Sequence, residues 1–326
     1  MDVRILNREH IAQVFSMREC VDLMHKAFTL VSQGKALQPI RRSVPLPHGR
    51  GLVSVMPGHA SDPAAFGVKV VSVYPGNHGT AHGSHQGAVL LFDDETGALR
   101  AVLDGRDITA IRTGATSAAA TDVLARKDAK TMTIYGYGDE ARTHLQSLTL
   151  VRPFDRIVIC GRSLAKAKAF AGEMGEQLGR KLEASDDFQG AAHADVLCTV
   201  TSATAPFLKG EWVQPGTHVN VVGSSIPTTA EVDDEMVRRS RFFTDFTDST
   251  LELGGEIRGA ISQGVVAQSH IIGCVGDVIT GKVAGRQSAQ DITLFKSLGM
   301  VVEDLVSCSF IVQRAEQQGV GVLVPW

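Results

Sequence analysis

From Asp128 onward the chain alternates between short apolar runs and helical stretches, and this alternation leaves little choice of fold. The strand-like run 131–136 (TMTIYG) passes into a helical 139–151, and strand-like 156–161 (RIVICG) into a helical 163–174. Further strand-like stretches follow at 195–200, 217–223 and 241–245. Apolar strands separated by helices need cover on both faces, which a parallel sheet between helix layers provides. Where the first strand meets the first helix, the residues are Gly136-Tyr137-Gly138-Asp139-Glu140-Ala141. The first glycine permits a tight turn, the second lets backbone N–H groups approach a pyrophosphate, and Ala141 allows close helix–sheet packing. In this strand–turn–helix setting the motif predicts dinucleotide binding, with the helix start offering donors and partial positive charge. Asp139 and Glu140 place two acids in that first turn, favourable to the helix and awkward for phosphate.

The second strand of the alternation ends in Gly161-Arg162-Ser163. An acid there would bond the ribose hydroxyls of NAD, whereas Arg162 and Ser163 suit a 2′-phosphate. NADP is therefore favoured over NAD.

The first hundred residues follow a different rule. Met17, Val21, Met24, Phe28 and Val31 mark one face of a helix that Gly34 is placed to end. Short β-like runs at 41–46, 51–57, 67–75 and 87–93 are separated by glycine, proline and histidine loops. They predict an open, mostly antiparallel sheet with a helix against it. Thr109 is expected to cap a small-residue helix through AIRTGATSAAATDVLAR, which puts Arg112 in its first turn. From about residue 291, LFKSLGMVVEDLVSCSFIVQRAEQQG reads as a long helix able to pack on the first domain.

Composition narrows the function classes. Among 326 residues, 32 Lys and Arg face 35 Asp and Glu, a net charge of −3 that argues against nucleic-acid binding through bulk charge. No apolar run approaches the ~18–20 residues of a membrane span, and the start MDVRILNREHIAQVF lacks the apolar middle of a signal peptide. The cysteines (Cys20, Cys160, Cys198, Cys274 and Cys308) are scattered without a C-x-x-C, which reads as reduced thiols of a cytoplasmic protein. His78, His82 and His85 would align on a helix, yet Pro75, Gly76, Gly79 and Gly83 oppose one. A loop lining a pocket is expected there, and no metal site.

Three cations need explaining. Lys69 lies between apolar neighbours in GVKVVSVYP, where an unpaired ammonium costs several kcal/mol or loses its proton. Arg112 sits among small residues, and Arg41 opens a strand with a fork suited to a carboxylate. Each alone is open to a surface or ion-pair reading. Together, in a chain with a dinucleotide turn, they suggest a pocket for an amino or imino acid.

The blocks QPIRRSVPLP, GVKVVSVYPGNHGT, SHQGAVLLFDDETGALRAVLDG, ITAIRTGATSAAAT, CTVTSATAP, VQPGTHVNVVGSSIPTTAEVD and DITLFKSLGMVVEDL resemble the ornithine cyclodeaminase/mu-crystallin family over essentially the whole chain. The resemblance implies an α/β protein: a Rossmann-type parallel-sheet domain over 113–299 and a mixed, mostly antiparallel α+β domain over 1–112, completed by about 300–326. The latter would bind substrate and form a homodimer. It further implies that Arg41 holds the substrate carboxylate, Lys69 stands beside the reacting nitrogen, and Arg112 serves both carboxylate and cofactor. Asn77 is a candidate helper at the substrate. Candidate cofactor contacts are Arg112, Thr113, Gly136, Tyr137, Gly138, Asp139, Glu140, Arg162, Ser163, Thr199, Val200, Thr201, Val222, Gly223 and Ser224. Where cyclodeaminases carry an aspartate, this chain has Ser225, which cannot act as a carboxylate base near neutral pH. The expected activity is thus NAD(P)H-dependent reduction of a small ketimine to an L-amino acid, with Lys69, Arg112 and Ser225 as catalytic candidates. Lys69, its pKa pushed down by two nearby cations, would supply the proton. An ornithine or lysine cyclodeaminase, an amino-acid dehydrogenase and a cofactor-gated small-ligand binder are the alternatives.

Overall fold

The computed structural model describes residues 2–77, 80 and 82–326, and the chain divides into two units, Met1–Arg112 with Met300–Trp326 and Thr113–Gly299. In the first unit, β1 (Asp2–Leu6), α1 (Arg8–Val14) and α2 (Met17–Ser32) precede β2 (Ala36–Leu37), β3 (Arg42–Pro45), β4 (Leu52–Ser61), β5 (Ala64–Val73), β6 (His85–Phe92) and β7 (Leu99–Asp104). Ser16 and Glu19 form a reciprocal cap at the start of α2, which buries Cys20, Val21, Met24 and Phe28 along one face. α3 (Gly105–Leu124) follows β7 without a loop.

The start of α3 differs from the sequence expectation. The Asp104 side chain accepts the Arg106 amide at 2.8 Å, so the charged strand-end residue caps the helix. Thr109 lies inside the helix with its hydroxyl bonded to the Gly105 carbonyl. Arg112 is accordingly not in the first turn.

The second unit contains β8 (Thr131–Tyr135), α4 (Asp139–Val151), β9 (Arg156–Cys160), α5 (Leu164–Leu178), β10 (Glu183–Ser185), α6 (Phe188–Ala191), β11 (Val196–Thr199), β12 (His218–Val221), α7 (Asp234–Arg239), β13 (Ser240–Thr244), α8 (Thr247–Leu253), α9 (Gly255–Ser262), β14 (Ile271–Cys274), α10 (Val275–Ile279) and β15 (Ile292–Lys296). Its strands pair in parallel in the order β10-β9-β8-β11-β12-β15-β13-β14. Tyr135, Leu197, Val219, Phe242 and Leu294 are fully buried in its core; each such side chain contributes roughly 1.5–3 kcal/mol. The strand order reverses direction between β8 and β11, the position at which open parallel sheets bind ligands.

The chain then returns to the first unit as α11 (Val301–Gln318) and β16 (Val322–Pro325). The helix expected from about residue 291 is therefore in part a strand. All five residues of β15 are buried between β12 and β13, so burial on both faces overrides helical spacing in ITLFK, and Gly299 (φ 81°) separates it from α11.

The first unit's sheet runs β16-β1-β7-β6-β5-β4-β2, with β3 also on β4. It is antiparallel apart from the parallel β1–β7 pair. α11 packs on β4, β5 and β6 and against α1 and α2. It lies so close that a side chain on Gly67 of β5 would run into Leu305. Val44, Val55 and Phe66 of the same sheet are 61%, 40% and 44% exposed.

Candidate functional site

Lys69 is 2% exposed on β5, a burial that an ammonium tolerates only with a partner. The partner is Asp304 of α11: Lys69 Nζ donates to Asp304 Oδ1 at 2.9 Å. Arg112 of α3 donates to the same oxygen through Nε at 3.2 Å, and to Glu303 Oε2 through Nη1 at 2.9 Å. Glu303 and Asp304 are both fully buried. Two cations from the sheet and α3 thus converge on two acids in the first turn of α11.

Burial lowers Lys69 to about 8; the charge and hydrogen bond of Asp304 oppose the shift, while Arg112 and Arg41 add to it. The neighbouring cations act in the expected direction, but desolvation is the larger cause. Burial by itself would raise the Asp304 carboxyl, and the charges and hydrogen bonds of Arg112 and Lys69 more than offset it, leaving it below the usual carboxylate range. Arg41 is half-buried, just before β3. Asn77 is half-buried at the end of the turn Pro75–Asn77, its amide bonded to the Tyr74 carbonyl at 3.0 Å. His78 lies outside the described residues, and His82 and His85 are exposed. Among the described residues no group of His, Cys, Asp or Glu is arranged to hold a metal ion.

In the second unit the candidate cofactor residues collect at the carboxyl ends of β8, β9, β11 and β12. Gly136 has φ 127°, and a side chain there would collide with the Val200 carbonyl, so only glycine suits this turn. Gly138 opens α4 without a side-chain cap, and a Cβ at this position would meet nothing within 4 Å. The turn therefore presents open space before a helix start, which fits a pyrophosphate. The Tyr137 ring covers Gly161, Arg162 is exposed, and the Ser163 hydroxyl accepts the Lys166 amide as the cap of α5. Asp139 is exposed in the first turn of α4, while the Glu140 carboxylate lies 3.7 Å from His144 Nδ1. Burial lowers His144 to about 4, so this approach is not an ion pair at neutral pH. Thr113 is buried beside Arg112 on α3.

The loops after β11 and β12 are tied together by Glu231. Its carboxylate accepts Thr199 Oγ1 at 2.8 Å, Thr201 N at 2.8 Å, Thr201 Oγ1 at 2.7 Å and Gly223 N at 2.7 Å. Burial raises its pKa despite these bonds and the nearby Lys296 charge. Val200 joins β8 through a hydrogen bond from its backbone amide to the Tyr135 carbonyl at 2.9 Å, and the Val222 amide donates to the Thr199 carbonyl at 3.0 Å. Lys296, at the end of β15, donates to Ser224 O and Oγ at 2.6 Å each and lies 3.0 Å from Glu256 Oε2. The Ser224 hydroxyl is bonded to Glu256, whereas Ser225 is exposed on the turn that follows.

Sequence reasoning missed Asp304, Glu303, Glu231, Glu256 and Lys296. The signal was available for three of them: a charge inside an apolar run, as used for Lys69, also occurs at Lys296 in ITLFKSLG and at Glu303 and Asp304 in MVVEDLVS. Glu231 and Glu256 lie in polar surroundings of the sequence and carry no such mark.

Known proteins resemble this chain across both units. The chain is 37% identical over 284 residues to ketimine reductase mu-crystallin of Mus musculus, covering 87% of each chain. The structure of Thermococcus litoralis Delta(1)-pyrroline-2-carboxylate reductase, in complex with NADH and L-proline, matches with TM-score 0.96 at 35% identity, over 99% of this chain and 100% of that one. An archaeal alanine dehydrogenase dimer with bound NAD matches with TM-score 0.95 at 29% identity, over 100% of both chains. No helix among the described residues is long and apolar enough to cross a membrane. Residues 1–319 match the sequence profile of the ornithine cyclodeaminase/mu-crystallin family, and with this coverage the chain belongs to that family.

Proposed function

We propose that the protein is an NAD(P)H-dependent reductase that converts a small ketimino acid, such as 1-pyrroline-2-carboxylate or 1-piperideine-2-carboxylate, into the L-amino acid. The observation that carries this reading is the buried Lys69–Asp304–Arg112 cluster in a chain that also has an open dinucleotide turn at Gly138. Arg41 and Arg112 bind and orient the substrate carboxylate, for which the planar guanidinium fork is suited. Lys69, lowered to about 8 by burial, holds a proton near neutral pH and gives it to the imine nitrogen. Ser225 and Asn77 contact the substrate.

Gly136, Tyr137, Gly138, Asp139 and Glu140 with Thr113, Thr199, Val200, Thr201, Val222, Gly223 and Ser224 hold the dinucleotide. Arg162 and Ser163 favour the 2′-phosphate of NADP. When bound, the reduced dinucleotide supplies the hydride that, with one proton, turns C=N into CH–NH. The enzyme works in the cytoplasm, where buried thiols stay reduced, and as a homodimer through the exposed apolar face around Val44, Val55 and Phe66.

The test is the oxidation of NADH and NADPH against a panel of cyclic and linear ketimino acids. Turnover of at least one cyclic ketimine with L-amino acid as product supports the reading. Ammonia released from ornithine with only catalytic NAD would assign a cyclodeaminase instead, and net NAD(P)H formation from alanine a dehydrogenase.

A further inference from the structure

Asp304 does more than neutralise a buried lysine. One oxygen, Oδ1, takes both Lys69 Nζ at 2.9 Å and Arg112 Nε at 3.2 Å. The other, Oδ2, is buried and receives no hydrogen bond from the described residues. A buried carboxylate oxygen left unsatisfied is costly, and a purely structural ion pair would be expected to spread two donors over both oxygens. Both cations are thereby brought to the same side of the carboxylate, so the position of the lysine is set relative to the arginine that binds the substrate's acid group.

We infer that Asp304 is a positioning residue for the proton-donating step, fixing the Lys69 ammonium beside Arg112 and keeping it protonated by its negative charge. The inference rests on the reductase reading for its catalytic meaning. The charged and titratable groups around Lys69 are Arg41 before β3, Arg112 on α3, Asp304 and Cys308 on α11, with Cys20 of α2 and Glu303 in the same cluster. Burial pushes both thiols up, so they stay neutral. Glu303 is bonded to Arg112. Burial, Arg112 and Arg41 all disfavour the ammonium, and Asp304 is the group that favours it. Without that charge the resting lysine becomes a neutral amine, which has no proton to give at neutral pH.

The experiment compares wild type, Asp304→Asn and Asp304→Glu in two ways: the pH profile of kcat/KM for the cyclic ketimine, and the NMR titration of the Lys69 side chain, which needs no turnover. For Asp304→Asn the alkaline limb and the Lys69 midpoint are expected to move down by at least one pH unit. Activity should recover as the pH is lowered, and NADH affinity should stay within threefold. Asp304→Glu keeps the charge, so its limb should stay within a few tenths of a unit while kcat falls at least tenfold. An unmoved Lys69 midpoint in Asp304→Asn, or loss of activity by the same factor at every pH, overturns the inference. If Asp304→Asn does not fold, a full-unit shift of the midpoint in Asp304→Glu overturns it. A wild type that titrates as expected yet reduces no ketimine overturns the reductase reading alone.

Discussion

Glu231 accepts hydrogen bonds from the Thr201 amide at 2.8 Å and the Gly223 amide at 2.7 Å, so one buried carboxylate fixes the chain leaving β11 to the chain leaving β12. These strand ends lie on the far side of β8 from β9 and the Arg162 turn. Glu231→Gln replaces part of this acceptor with a donor and should loosen both loops. Calorimetric titration is expected to show NADH bound at least tenfold more weakly, with ADP-ribose, which lacks the nicotinamide, changed less than threefold. Equal weakening of both ligands would place the effect elsewhere.

Lys69→Met removes the proposed proton donor and keeps the apolar stem. The variant should fold and retain NADH affinity, while kcat for 1-pyrroline-2-carboxylate falls roughly 10²–10⁴-fold, the usual contribution of a general acid. Near-native turnover would remove Lys69 from the chemistry. In the wild type kcat/KM is expected to decline as pH rises through about 8, the protonated lysine being the proposed active form.

Arg112 neutralises two buried acids at once, with Glu303 Oε2 at 2.9 Å and Asp304 Oδ1 at 3.2 Å. Arg112→Leu strands charge in the core, and loss of one partner of a buried ion pair costs about 3–5 kcal/mol. A urea unfolding series should show a loss of that size. Arg112→Lys, lacking the planar fork, should recover part of the stability yet raise KM for the ketimine at least tenfold.

Arg162 is exposed just beyond β9 and is the cation proposed to pair with a 2′-phosphate. Arg162→Glu should lower kcat/KM for NADPH by more than tenfold and leave NADH within threefold. Equal loss with both cofactors would show that the residue does not discriminate between them.

His144 is held neutral by burial, its pKa lowered from 6.5 to about 4, while Nε2 meets Ser117 Oγ at 2.9 Å. The folded protein binds this proton less readily than the unfolded chain. Stability contributed by the neutral ring is therefore complete above pH 6.5 and is lost as pH falls towards about 4. Between pH 7 and 5 the loss is on the order of 2 kcal/mol. His144→Asn should flatten that slope in denaturant midpoints measured across the range; an unchanged slope would assign the acid sensitivity to other groups.

The parallel strands and the glycine turn were legible because their signals are local. Residues 131–136 and 139–151 show apolar runs and helical spacing that the neighbouring chain reinforces, and α4 spans Asp139–Val151. Lys69 and Arg112 stood out because charge in apolar surroundings needs a partner. The partner itself could not be read, since nothing local links Lys69 to Asp304. The start of α3 was misplaced because Thr109 is an acceptable cap in isolation, while Asp104 caps it at the end of β7. In ITLFK, a lysine inside a strand looked helical; its actual partners, Ser224 and Glu256, come from distant loops.

Lys69 and Asp304 are separated by 235 positions, and all of Thr113–Gly299 is synthesised between them. A growing polypeptide therefore carries its two interior cations without their acids until α11 leaves the ribosome. Neutralisation of those cations waits for α11, and a chain stopped short of residue 301 would lack both Glu303 and Asp304 even with its parallel sheet entire.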